Sequence, residues 1–140
     1  MTQLLFFADP RDLIELEPGE SPRDAFVCML GQGIHIDARA QLYSIITGKF
    51  LQDALEMEEP VDDQATEATW IGRLHSELVA CIGKLDEQAI IETVGHWMSC
   101  EESESLDVGQ DDLLDYLFAL VNLCQNCLQE DAGVYAFTSV

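Results

Sequence analysis

Residues 111–129 (DDLLDYLFALVNLCQNCLQ) constrain the fold more than any other stretch of the chain. When this stretch is placed on a helix at about 100° per residue, five of its small or polar side chains fall in one strip roughly 80° wide. The strip consists of Asp115, Ala119, Asn122, Asn126 and Gln129. Nearly all of the remaining circumference carries Leu, Val, Phe, Tyr or Cys, whereas an ordinary surface helix has one apolar stripe. The pattern therefore predicts a central helix that other elements cover on several sides, with one edge in water.

Both ends of the chain predict short strands. Residues 3–8 form an apolar run that ends at Asp9-Pro10, because proline cannot donate a hydrogen bond to a strand ladder. Residues 134–140 are rich in β-branched and aromatic side chains, which favours a last strand after Gly133 ends the central helix. We expect these two terminal strands to pair with each other.

Helical spacing, capping residues and glycine stops predict five further helices between the terminal strands. Their ranges are about 22–30, 37–47, 50–57, 66–83 and 87–98. The fourth is the longest of these and contains Trp70, Ile71 and Leu74 on its expected inner face. Residues 58–63 and 101–110 are predicted to be charged or polar loops.

The length and apolar content indicate one globular domain that spans residues 1–140. A chain of this size buries about two-thirds of its unfolded surface, which is enough for a core without disulfides. We predict an α+β fold that is predominantly helical, with helices packed around the helix at about 111–129 and a small sheet from the N- and C-terminal strands. An all-α bundle with extended ends is the alternative.

The charge excludes several classes of partner. The chain has 27 acidic and 6 basic residues, a net charge of −21, and after Lys84 it has twelve more carboxylates but no Lys or Arg. Nucleic acids and anionic membranes are bound by positive charge that displaces counterions, so neither is an expected partner. A basic protein is the expected partner. The apolar runs are shorter than the roughly 18 residues that span a bilayer, and the start lacks the basic region of a signal peptide, so we predict a cytoplasmic protein.

Clusters of carboxylates are the predicted partner-binding residues. Two of the clusters lie in predicted loops, and a third follows the central helix. Glu130 and Asp131 in the third lie where a helix favours cations, so each opposes helix stability by roughly 0.3–1 kcal/mol. Acid at this position indicates that the negative field is useful in itself, although a role in solubility alone is the alternative. The predicted residues are Glu56, Glu58, Glu59, Asp62, Asp63, Glu101, Glu102, Glu104, Asp107, Glu130 and Asp131.

The five cysteines are predicted to be reduced, buried thiols, because their number is odd and their neighbours are apolar. A weaker alternative is a four-ligand zinc site made of His96, Cys100, Cys124 and Cys127. The three histidines have no accompanying catalytic motif, and no glycine-rich phosphate loop is present. We therefore expect no cofactor and no enzymatic activity.

These observations favour a small acidic binding protein that neutralises a basic partner. By analogy of size and charge, a bacterial immunity protein against a toxin or a nucleic-acid-mimicking inhibitor has these properties. The alternatives are an acidic secretion chaperone or adaptor with an apolar groove, and a small metal-binding protein or enzyme. The sequence leaves open whether the protein is a monomer or a dimer.

Overall fold

The computed structural model describes residues 2–8, 27–30, 34, 36–61, 69–99, 109–130 and 132–139. In these ranges the chain forms five helices and a five-stranded sheet, and the helices contain most of the described residues. The predicted α+β, mainly helical fold is therefore confirmed. The strands are β1 Thr2–Ala8, β2 Val27–Leu30, β3 Glu58–Pro60, β4 Thr69–Leu74 and β5 Gly133–Ser139. The helices are α1 Ile36–Thr47, α2 Leu51–Leu55, α3 Ser76–Gly83, α4 Glu87–Met98 and α5 Gln110–Glu130.

Helix α5 is the central helix that the sequence predicts. It packs against α3, α4 and strands β1, β2 and β5, so it is covered on several sides. Most of its apolar side chains are buried in the main core, for example Leu117, Leu120 and Cys124, whereas Phe118 and Leu128 are exposed. Four members of the predicted water-facing strip are exposed, namely Asp115, Ala119, Asn122 and Asn126.

The sheet is antiparallel throughout, with strand order β2-β1-β5-β4-β3. The predicted pairing of the terminal strands is confirmed, with Leu5 opposite Ala136 in the β1–β5 ladder. Because side chains alternate across a strand, Leu5 and Ala136 join the helices in the main core. Their neighbours on the opposite face form a second buried cluster in which the rings of Phe6 and Tyr135 stack at 5.5 Å.

Two predicted helices between the strands are confirmed together with their end signals. Helix α1 ends at Thr47 and is followed by Gly48, whose positive φ of 74° is the conformation that favours glycine after a helix. Helix α4 begins after Asp86, whose carboxylate accepts a hydrogen bond from the amide of Ala89 at 2.8 Å. The buried Trp97 of α4 donates its indole N–H to the Ala38 carbonyl at 2.9 Å, which joins α4 to α1.

The predicted long helix at 66–83 is wrong in its first half. Residues 69–74 form strand β4, and helix α3 starts only at Ser76, where the His75 side chain accepts a hydrogen bond from the amide of Glu77. The Trp70-Ile71 run suits a strand as well as a helix, and periodicity alone cannot separate short apolar runs. The decisive factor is a partner distant in sequence, because Ile71 lies opposite Phe137 of β5.

Two other predictions are wrong, again because strand pairing decides the conformation of the segment. The segment Val27–Leu30, predicted as the end of a helix, is strand β2 and pairs with β1 so that Leu4 lies opposite Leu30. The start of that predicted helix lies outside the described residues. Residues 58–60, predicted as a loop, form strand β3 at the edge of the sheet. Pro60 is accommodated there because an edge strand does not need every amide hydrogen.

Candidate functional site

Glu58, one of the predicted partner-binding carboxylates, is buried instead of exposed. Its two oxygens accept hydrogen bonds from Arg39 of helix α1, with Nε to Oε2 at 2.8 Å and Nη2 to Oε1 at 2.9 Å. Only 5% of the Arg39 side chain and 6% of the Glu58 side chain are exposed. A carboxylate in such a bidentate pair cannot bind an external cation. Glu58 is therefore not available to contact a partner, contrary to the prediction.

Two further hydrogen bonds extend the network around this ion pair. Tyr43 donates its hydroxyl to Glu58 Oε2 at 2.6 Å, and Arg39 Nη1 donates to the Ile34 carbonyl at 2.8 Å. Burial and the Glu58 carboxylate both raise the pKa of Tyr43, so its hydroxyl keeps the proton. Burial alone would lower the pKa of Arg39, but the charge and hydrogen bonds of Glu58 outweigh it, and the net pKa is raised.

The network joins strand β3 to helix α1, and its role is structural. It forms the charged wall of a cleft of about 190 Å³ whose other walls are mostly apolar, including Leu55, Val61 and Ile71. Arg39, Tyr43 and Glu58 satisfy one another, and the raised pKa of Tyr43 opposes any role as a base. We therefore find no catalytic chemistry in this cleft among the described residues.

The exposed carboxylates form a strongly negative surface. Twelve acidic side chains are described, and all of them except Glu58 are exposed. The cations on the same described surface are Lys49, Arg73 and Lys84, of which Lys49 lies 3.6 Å from Glu77 and Arg73 lies over the ring of Tyr135. The exposed acids are Asp37, Asp53, Glu56, Glu59, Glu77, Asp86, Glu87, Glu92, Asp111, Asp112 and Asp115.

The predicted acidic clusters are only partly represented in the described residues. Glu56 and Glu59 are exposed on either side of the buried Glu58. Glu130 is the last residue of α5. The remaining predicted residues lie outside the described part of the chain, namely Asp62, Asp63, Glu101, Glu102, Glu104, Asp107 and Asp131.

A groove between helices α4 and α5 is the feature that sequence reasoning missed. It has a volume of about 450 Å³ and is lined by Leu85, Glu87, Ile90, Phe118, Val121 and Asn122, among others. The sequence pattern had placed Phe118 on the covered side of α5, yet 41% of this residue is exposed. Phe118 lies only about 20° beyond the predicted polar strip, so a small opening between the helices is enough to expose its ring.

Beside this groove, α5 carries a row of exposed side chains whose chemical character changes along the helix. Asp111, Asp115, Phe118 and Asn122 follow one another at spacings of three or four residues, so they lie on one side of the helix. All four are exposed. The strip therefore carries carboxylates at the start of the helix, an aromatic ring in the middle and an amide beyond it.

The cysteines of α5 are buried thiols. The Cys127 thiol donates a hydrogen bond to the Ala132 carbonyl at 2.7 Å. Burial raises the pKa of Cys124 to about 12, and the proximity of Cys127 adds to this effect, so Cys124 is not ionised at neutral pH. His96 is exposed on α4, whereas Cys100 lies outside the described residues. The described part of the chain contains no group of three or more His, Cys, Asp or Glu placed to hold a metal ion.

None of the described helices is both long enough and apolar enough to cross a bilayer. No family model matches the chain, and no curated protein matches it. Among solved structures, the chain is similar to YfbM from Escherichia coli, a protein of unknown function. The sequence identity is 13%, the similarity covers 99% of each chain, and the TM-score is 0.48.

Proposed function

We propose that this protein is a small acidic binding protein that neutralises a basic protein partner, as a bacterial immunity protein or a nucleic-acid-mimicking inhibitor does. The observation that carries the proposal is the exposure of eleven described carboxylates against the three cations Lys49, Arg73 and Lys84. Such a surface attracts a basic protein over distances of about a Debye length and raises the rate of encounter. It repels nucleic acids and anionic membranes.

The ends of the described helices support a use of negative charge beyond solubility. A cation in the last turn of a helix stabilises it by about 0.3–1 kcal/mol, yet α1, α2 and α5 have no basic residue there, and α3 has one only at its C-cap, Lys84. The last turn of α4 contains only His96. Lys or Arg at these positions would improve both local stability and charge balance. Their omission favours a field that acts on something outside the chain.

A cytoplasmic location belongs to the same proposal. Cys81, Cys124 and Cys127 are reduced thiols, which is the usual state of cysteine in a reducing compartment.

The experiment is affinity capture on the full chain at low ionic strength, identification of the captured protein, and measurement of both rate constants with that purified protein. We expect a basic partner whose association rate constant falls on the order of ten-fold or more as salt rises, because screening removes electrostatic steering. The dissociation rate constant should change much less. An acidic or neutral partner whose association rate is independent of salt would overturn the proposal.

A further inference from the structure

We propose that the groove between α4 and α5 is the docking site for the partner, and that it accepts a basic amphipathic helix. The apolar side chains of that helix would pack against Phe118 and Ile90, and its lysines and arginines would meet Glu87, Asp111 and Asp115. This inference rests on the proposed function and adds to it a place on the surface and a form of ligand.

The groove has the apolar floor that such a ligand requires. Ile90 and Val121 are 2% and 5% exposed, and Phe118 is 41% exposed. Aromatic residues, phenylalanine included, are enriched in protein interfaces relative to the rest of the surface. Ile91, the residue after the buried Ile90, is 49% exposed and extends the apolar area on the outer side of α4.

The charges around the groove are complementary to a basic ligand. Glu87 lines the groove itself, and Asp115 lies one turn before Phe118 on the same side of α5. Asp111 lies one turn before Asp115, nearer the start of α5. Lys84 directly precedes the lining residue Leu85, and it is outnumbered by Glu87, Asp111 and Asp115. Apolar floor and acidic rim together match the two faces of a basic amphipathic helix.

A helix fits this groove better than an extended segment does. The lining is made of side chains from two packed helices, and a strand would bring unpaired backbone amides and carbonyls to it. A helical ligand satisfies its own backbone hydrogen bonds and presents anchors at spacings of three, four and seven residues. The amide of Gln125, another lining residue, already donates to the Gly83 carbonyl at 3.2 Å.

Gly95 lies on the solvent-facing side of α4, outside the lining of the groove. It lies one turn beyond Ile91 in the interior of an exposed helix, where an added Cβ would meet nothing within 4 Å. Glycine at such a position destabilises a helix by roughly 0.5–1 kcal/mol relative to alanine. The packing of the described chain gives no reason for it. A flat outer face beside Ile91 allows a docked backbone to approach closely.

The test uses the full chain and a synthetic peptide of about five helical turns with leucines on one face and lysines on the other. Two control peptides have the same composition in a scrambled order, and glutamate in place of every lysine. Binding is measured by fluorescence anisotropy of the labelled peptide. We expect the amphipathic lysine peptide to bind, the scrambled peptide to bind at least about ten-fold more weakly, and the glutamate peptide not to bind.

Matched variants of the protein locate the site. F118A should weaken binding on the order of ten-fold, whereas F50A, which truncates a phenylalanine that is 84% exposed elsewhere, should leave it unchanged. The triple variant E87Q/D111N/D115N should weaken binding more than D53N/E56Q/E59Q, which removes the same charge from other exposed positions. Equal losses in the two triple variants, or equal binding of the scrambled peptide, would show that the groove is not the docking site. Neither result would contradict the proposed function.

Two other outcomes are also decisive. If the glutamate peptide binds as well as the lysine peptide, and salt has no effect on either, both the groove and the proposed function fail. If light scattering shows that the protein is a dimer and that F118A makes it monomeric, the groove is occupied by a second copy of the chain, and the inference of a basic helical ligand is overturned.

Discussion

Replacing Glu58 with glutamine should destabilise the protein far more than any neighbouring change of charge. The substitution is nearly isosteric, but it removes the charge that balances Arg39 and turns one acceptor into an N–H₂ group. Glu58 Oε2 accepts from both Arg39 and Tyr43, and Oε1 accepts from Arg39, so every orientation of the glutamine amide places one donor against a donor. The contact between helix α1 and strand β3 then loses its ion pair.

The magnitude follows from burial. Both side chains are about one-twentieth exposed, so solvent cannot replace the lost carboxylate. Breaking a buried pair by removal of one partner lowers the free energy of unfolding by about 3–5 kcal/mol. The matched control is E59Q on the next residue, which is exposed and carries the same change of charge. That control should alter stability by less than about 0.5 kcal/mol.

The assay is urea denaturation at neutral pH, followed by far-ultraviolet circular dichroism. The variant R39M completes a thermodynamic cycle, in which the double variant R39M/E58Q should lose much less than the sum of the two single losses. If E58Q and E59Q unfold with free energies within about 1 kcal/mol of each other, the pair is not a buried structural contact, and the reasoning fails.

Three further predictions concern stability. Burial raises the pKa of Cys124 to about 12, whereas an unfolded thiol titrates near 8.5, so the native state holds a proton that the unfolded state has lost. The release of this proton should therefore lower the free energy of unfolding by about 1.4 kcal/mol per pH unit above about pH 9, and C124A should remove this contribution in denaturation curves recorded at alkaline pH. Above about pH 10 the buried Tyr43 and Tyr116, whose pKa values are also raised, should steepen the fall in both proteins. In thermal denaturation G95A should stabilise by about 0.5–1 kcal/mol because its Cβ meets open space, whereas G48A should destabilise because φ is +74° there; a stabilising G48A would contradict the backbone argument. D86A removes the hydrogen bond to Ala89 and should lower the free energy of unfolding by about 0.5–2 kcal/mol in urea, with E87A, one residue later and without a capping bond, as the control.

The elements with strong local signals are the ones that the sequence predicts correctly. The apolar segment 111–129 is too long for a strand, so its pattern predicts a helix. Asp86 and Gly48 mark helix ends because their effect depends on local backbone geometry. Strands β2 and β4 were misassigned because a run such as Trp70-Ile71 acquires its conformation from β5, more than sixty residues away. Local propensity contains no information about such a partner.

The candidate site was predictable in its charge but not in its geometry. Composition alone gives the excess of carboxylates, and helix periodicity gives the water-facing strip of α5. The burial of Glu58 depends on Arg39, which lies nineteen residues earlier and shows no pattern that links the two. The groove depends on how closely α4 approaches α5, and this distance decides whether Phe118 is covered. The periodicity of a single helix contains no information about the distance between two helices.

The most direct test compares association rate constants for the captured partner with three proteins at one low ionic strength: the unaltered chain, E87Q/D111N/D115N and D53N/E56Q/E59Q. All six substituted residues are exposed, so the two variants should fold alike and differ only in where the charge is removed. We predict that the first triple variant slows association on the order of ten-fold and that the second slows it by less than about two-fold. Unchanged rates in both variants would contradict the claim that this protein recognises its partner through exposed carboxylates.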